Sequence, residues 1–136
     1  AALYTGDLSS EDRLAAYLSW INGENKIMIC TCAFGAGNDY PHVRLIVHAG
    51  TPQDMVGYIQ EISRAGRDKR HAKCYIIPNL SQIPTIPRKQ DLTGKHACWE
   101  MIFGVQLCLR YSITLFNDGK GIACGDDDCN EECSRC

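Results

Sequence analysis

The chain has 136 residues, 45 % of them apolar, which is enough to bury one ordinary domain or two small lobes and too much for a disordered polyelectrolyte. Its formal net charge is −2, no apolar run approaches the roughly 20 residues of a membrane helix, and no basic segment followed by an apolar one opens the chain as a signal peptide would. The charge is unevenly spread: residues 1–60 carry a net −3, residues 61–95 a net +5 and residues 96–136 a net −4, so the middle is either a surface for a polyanion or a solvated basic face.

Ser9 or Ser10 begins the first predicted helix, over 9–23, with Glu11 and Asp12 suited to the positive end of its dipole. Leu14, Leu18 and Ile21 fall on one face, and Gly23 ends it. The apolar run 26–31 reads as a buried strand, 33–41 as a glycine-rich loop, and 43–48 as a second strand. A second helix, over 53–65, aligns Met55, Ile59 and Ile62, and 72–78 reads as a third strand. Apolar strands alternating with helices predict an α/β fold with a parallel sheet, and three strands leave edges that a larger sheet would cover. Residues 79–95, with Pro84 and Pro87, read as a linker. A helical pattern returns over 96–117, broken at Gly104.

Ligands of open parallel sheets bind at the carboxyl ends of the strands. Gly35 and Gly37 follow the first predicted strand and allow close backbone approach to a ligand; Asp39 can accept hydrogen bonds from a ribose. A plain turn explains the same residues. Arg64 and Arg67 end the second predicted helix beside Gly66, and their forked donors suit phosphate oxygens. Taken alone, they also read as surface arginines at a helix end.

Taken together, 30–68 is more specific. Thr31, Ala33, Phe34, Gly35, Gly37 and Asp39 are followed by Val43, Arg44, His48 and Pro52, then by Tyr58, Gln60, Glu61, Arg64, Ala65, Gly66, Arg67 and Asp68. This series resembles motifs V and VI of RecQ-type helicases, and residues 4–13 and 20–29 are similar to what precedes motif V. The resemblance implies a partial second RecA-like lobe over 1–80, a linker over 81–95 and a zinc-binding subdomain over 96–136. It implies that Arg64 and Arg67 act as arginine fingers on ATP held by another RecA-like lobe, with Gln60 coupling that site to DNA. Thr31 is then a DNA-phosphate contact, and Gly37 and Asp39 line the nucleotide side. The basic residues Lys69, Arg70 and Lys73 extend the DNA surface. ATP with Mg²⁺ and single-stranded or branched DNA are the implied partners, in an intracellular protein, nuclear in a eukaryote.

Three positions depart from the family pattern: Ser63 stands for the usual Gly, and Ala36 and Asn38 replace Met and Ile. No G-x-x-x-x-G-K-S/T run occurs, since Gly94-Lys95 lacks the earlier glycine, and no Asp-Glu-x-His segment is present. This chain alone is therefore expected to be inactive. The rival readings are a non-enzymatic nucleic-acid-binding remnant and a zinc-stabilised interaction module.

Nine cysteines are an odd number, which disfavours a complete disulfide framework. Cys133 and Cys136 have zinc-knuckle spacing, and Cys108 and Cys124 can complete a tetrahedral thiolate set, with Cys129 as the substitute. Unligated or oxidised thiols are the alternative. Cys30, Cys32 and Cys74 are expected as small core residues and His48 as a structural one.

Overall fold

The computed structural model describes residues 1–35, 40–82, 85–86, 91–104, 108–126 and 131–136, in two compact units, Ala1–His42 and Val43–Cys136. The first unit starts with strand β1 (Ala2–Tyr4), continues through helix α1 (Ser10–Ile21) and returns in strand β2 (Met28–Cys30), followed by a 3₁₀ turn over Cys32–Gly35. β1 and β2 run parallel, with Ala2 opposite Met28 and Tyr4 opposite Cys30. The Ser9 hydroxyl accepts from the Asp12 backbone N–H, which stops fraying at the start of α1.

The predicted core face of α1 is corrected. Leu14 and Leu18 are exposed, and the packed side is aromatic. Phe34 is buried with its ring centroid 5.1 Å from Tyr4, 5.6 Å from Trp20 and 6.4 Å from Tyr17. Tyr17 and Trp20 are three residues apart and so share a helix face; large rings at that spacing outcompete the leucine stripe for the same strand pair.

In the second unit, strand β3 (Leu45–Ala49), helix α2 (Met55–Ile62) and strand β4 (Lys73–Ile77) form one crossover, with β3 and β4 parallel in the register Val47 opposite Tyr75. Helices α3 (Lys95–Phe103) and α4 (Leu109–Asp118) follow. The predicted three-stranded sheet is thus two parallel pairs among the described residues, because 26–31 pairs with 2–4, a strand too short for an apolar pattern to reveal. Cys30, Cys32 and Cys74 are also corrected: all three are exposed rather than core residues. Ile29 and Tyr75, which point to the opposite faces of the strands that hold Cys30 and Cys74, are exposed as well, so neither face is covered at these positions.

The core of the second unit is Met55 and Tyr58 from α2 with Cys98 and Met101 from α3, joined by Ile59, Ile62, Ile76, Ile113 and Phe116. It therefore crosses residues 81–95. Gly94 makes this possible. It has φ +74 just before α3, and a Cβ there would stand 2.3 Å from the Phe116 ring and 2.9 Å from Met55 Cβ. The Asp91 carboxylate accepts from the backbone N–H groups of Lys95 (2.7 Å) and His96 (3.3 Å), closing the first turn of α3. Among the described residues no helix is long and apolar enough to cross a membrane.

Candidate arginine turn and thiolate centre

Helix α2 ends at Ser63, and the chain turns before β4. Gly66 has φ +67 and donates its N–H to the Val43 carbonyl at 3.1 Å; a Cβ there would meet the Arg70 carbonyl oxygen at 3.0 Å. Glycine is thus required by backbone conformation and by space. Lys69 has φ +64 and donates to the Gly66 carbonyl at 2.8 Å.

An ion pair and a histidine–carboxylate hydrogen bond tie this turn and the end of α2 to β3 and its approach. The Arg44 guanidinium meets both carboxylate oxygens of Asp68, Nη1 to Oδ1 at 3.0 Å and Nη2 to Oδ2. The same carboxylate accepts from the Arg70 backbone N–H at 3.1 Å. At the other end, His48 Nε2 lies 2.7 Å from Glu61 Oε2, and the His48 ring sits against Tyr58, centroids 5.2 Å apart. Burial pushes the Tyr58 phenol up to about 12, with smaller contributions from Cys74 and Cys98, so it stays neutral in this contact.

Arg64 is half-buried, whereas Arg67, Gln60, Lys69, Arg70 and Lys73 are exposed on and after the turn. Arg67 Nε donates to the Ser63 carbonyl at 3.3 Å, which orients its fork. Ser63 sits in ordinary right-handed conformation and its hydroxyl donates to the Gln60 carbonyl at 2.8 Å. The serine is therefore accommodated. In the first unit, exposed Thr31 donates its N–H to the Tyr4 carbonyl, and its own carbonyl accepts from Phe34 N–H, starting the 3₁₀ turn. Gly37 and Asp39 lie outside the described residues, as do Ala36, Asn38 and Cys129.

Sequence reasoning missed the Arg44–Asp68 and His48–Glu61 pairs as pairs. The signal was present, four charged or titratable residues within the matched motifs, but partners 24 and 13 residues apart meet only through the crossover.

The second cluster holds four sulfurs. Cys108 precedes the first turn of α4, Cys124 is buried in the turn after that helix, and Cys133 and Cys136 close a turn through Cys136 N–H to the Cys133 carbonyl at 3.0 Å. The Sγ atoms stand 3.4 Å apart for Cys108–Cys124, 3.6 Å for Cys133–Cys136 and 3.8 Å for Cys108–Cys133, and all four lie within 4.8 Å of one another. A tetrahedron with metal–sulfur bonds of about 2.3 Å has sulfur–sulfur edges of about 3.8 Å. The spacing fits a four-thiolate ion site and is far beyond the roughly 2.05 Å of a disulfide.

The charge distribution fits as well. Burial alone would raise Cys133, but the backbone N–H groups of Arg135 and Leu109 and the Cys136 and Cys108 thiols bring it down to about 6. Leu109 N–H points at its sulfur from 3.4 Å, at the positive start of α4. Cys108 is also lowered, against its own burial, by the Tyr111 backbone N–H. The opposite shifts fall on Cys136, raised to about 12 chiefly by Cys108 and Cys133, and on Cys124, raised by burial. Between Cys133 and Cys136, the Arg135 guanidinium donates to the Gly104 carbonyl at 3.1 Å and to the Ile102 carbonyl, capping the carboxyl end of α3.

Comparison with known proteins shows the family. The family model described as helicase conserved C-terminal domain matches residues 1–69. A mouse protein, ATP-dependent DNA helicase Q1, is 30 % identical over 100 % of this chain and 21 % of its own length. The Bacillus subtilis ATP-dependent DNA helicase RecQ is 28 % identical over 100 % of this chain and 24 % of its own length. A protein of Acanthamoeba polyphaga mimivirus named as an ATP-dependent RNA helicase is 42 % identical over 57 % of this chain and 14 % of its own length. The chain spans about a quarter or less of these relatives. With its first 69 residues matched by that domain and RecQ-type helicases aligned along its whole length, the chain belongs to the helicase conserved C-terminal domain family, as a RecQ-like C-terminal part.

Proposed function

We propose that this chain is the C-terminal portion of an ATP-dependent 3′-to-5′ DNA helicase, in which Arg64 and Arg67 reach the γ-phosphate of ATP and its Mg²⁺ held by a separate RecA-like lobe. The observation that carries this reading is the arginine turn: two guanidinium groups on a loop fixed by the Arg44–Asp68 ion pair and, at the helix end before it, by the His48–Glu61 hydrogen bond. Phosphoryl transfer spreads charge over the equatorial oxygens, and fixed cationic donors stabilise that charge without reorganising. Gln60, exposed one turn before Arg64, relays the state of DNA to this site. Thr31, Lys69, Arg70 and Lys73 contact the phosphate backbone, so binding is salt-dependent and weakly selective for sequence. Gly37 and Asp39 line the nucleotide side.

Cys108, Cys124, Cys133 and Cys136 hold a Zn²⁺ ion in this reading, with Cys129 as the substitute ligand, and the metal supplies folding free energy rather than chemistry. The division into a lobe over 1–80, a linker over 81–95 and a zinc-binding part over 96–136 belongs to the same proposal, as does a nuclear location in a eukaryotic cell. Because the chain carries no phosphate-cradling loop of its own, it binds nucleic acid by itself and does not turn over ATP. The test is Arg67→Ala in the protein joined to its phosphate-binding lobe. Turnover should fall by about 10³–10⁵ with ATP affinity little changed; near-normal turnover would exclude the phosphate role.

A further inference from the structure

The last six residues touch the rest of the second unit at more than the sulfurs. Glu131 Oε2 lies 2.7 Å from His71 Nε2. Glu131 is two residues from Cys133, and His71 follows the segment that carries Arg67, Lys69 and Arg70 and leads into β4 at Lys73. The contact joins residues 60 apart in the chain. A neutral imidazole with its proton on Nε2 donates to a carboxylate as an imidazolium does, so the contact needs no change of protonation. The thiolate cluster fixes one end of this strut through Cys133, and Arg135 anchors the same turn to α3.

We propose that Glu131 is a positioning residue that transmits metal occupancy of the thiolate cluster to the basic turn through His71. The proposal rests on the zinc reading above. With the metal bound, Cys133 and Cys136 hold the tail in one place and Glu131 holds His71, which limits the excursions of residues 66–73. Without the metal, the tail loses its anchor, and the turn that presents Arg67, Lys69 and Arg70 loosens. Both side chains are more than half exposed, 56 % for His71 and 62 % for Glu131. The effect is therefore modest, about two- to fivefold in local opening.

The experiment is amide hydrogen exchange of residues 66–73 in the 136-residue chain, with zinc content measured on the same samples. Glu131→Ala should keep one zinc per chain and exchange about two- to fivefold faster in 66–73. Glu131→Gln should restore the slower exchange, because its amide oxygen still accepts from the imidazole N–H. His71→Ala should match Glu131→Ala, and the double variant should be no faster than either. Chelation of the wild-type chain should loosen the same residues. Unchanged exchange in Glu131→Ala with zinc retained overturns the coupling while leaving the metal reading intact. Glu131→Gln as fast as Glu131→Ala also overturns it. A wild-type chain without zinc removes the metal reading and the coupling together.

Discussion

The arginine turn and the thiolate centre occupy one unit and solve the same problem, ordering a polar loop, by different means. The turn over 63–72 is bracketed by regular structure. Backbone bonds from Gly66 to Val43 and from Lys73 to Arg44, with the Arg44–Asp68 and His48–Glu61 pairs, make it an appendage of β3 and α2. The tail has no such frame. Beyond Ile122 it offers almost no apolar side chain except cysteine, and Glu131 and Glu132 follow one another in an acidic stretch. Its order rests on four sulfurs, the Arg135 cap and the exposed Glu131–His71 contact. A loop inside a crossover inherits stability from the core, whereas a loop beyond the last helix must bring its own staple.

The difference is broken most directly at the sulfurs. Cys133→Ser with Cys136→Ser should abolish zinc binding and unfold the tail, since a structural zinc site couples about 10–16 kcal/mol of binding to folding. Exchange in α2 and β4 should change far less than in 119–136. Metal analysis and exchange on protein purified under reducing conditions would expose the error if zinc stayed at one per chain.

Gly94→Ala tests the core that both regions lean on. Overpacking against Phe116 and Met55 should cost about 1–3 kcal/mol, and the left-handed backbone about 1–2 kcal/mol more. Urea unfolding measures it; an unchanged midpoint would mean that the contact between α2, α3 and α4 is looser than drawn.

Asp68→Ala addresses the turn alone. Leaving the Arg44 guanidinium without its carboxylate should cost about 1–3 kcal/mol locally. Zinc content should not move, because the clamp and the sulfurs are held by different partners. Loss of zinc in this variant would show that the two regions are not separable.

Acid provides a graded version of the first experiment. Cys133 is depressed from 9.0 to about 6, so its contribution is fully present above the ordinary thiol range and is lost as pH falls through about 6. Metal ligation requires thiolates and weakens in the same direction. The chain should hold zinc at neutral pH and release it, with tail order, as acid protonates the thiolates. A tail still ordered at lower pH after its zinc has left would contradict a metal staple. The smallest effect is expected for Ser63→Gly, within about 0.5 kcal/mol in stability, since the hydroxyl only turns back on the Gln60 carbonyl.

Much of this was legible in the residues alone. The crossover from β3 through α2 to β4 follows from apolar runs and one helical stripe, because each element can bury its apolar face only against the others. The motif residues placed Arg64, Gly66, Arg67 and Asp68 on a turn at a helix end, and cysteine spacing named Cys133 and Cys136, with Cys108 and Cys124 beside Cys129 as candidates to complete the set. These are local or short-period signals. Tertiary structure decided the remainder. It made Gly94, which the missing earlier glycine had already excluded from a phosphate loop, a packing site before α3, because Phe116, 22 residues later, fills the space a side chain would need. It gave 26–31 a partner in residues 2–4, turned Leu14 and Leu18 outward in favour of aromatic contacts, and left Cys30, Cys32 and Cys74 on the surface. Sequence pattern reports which residues prefer burial. Which of them obtain it depends on which distant chain arrives to cover them, and that competition is settled only when the whole unit packs.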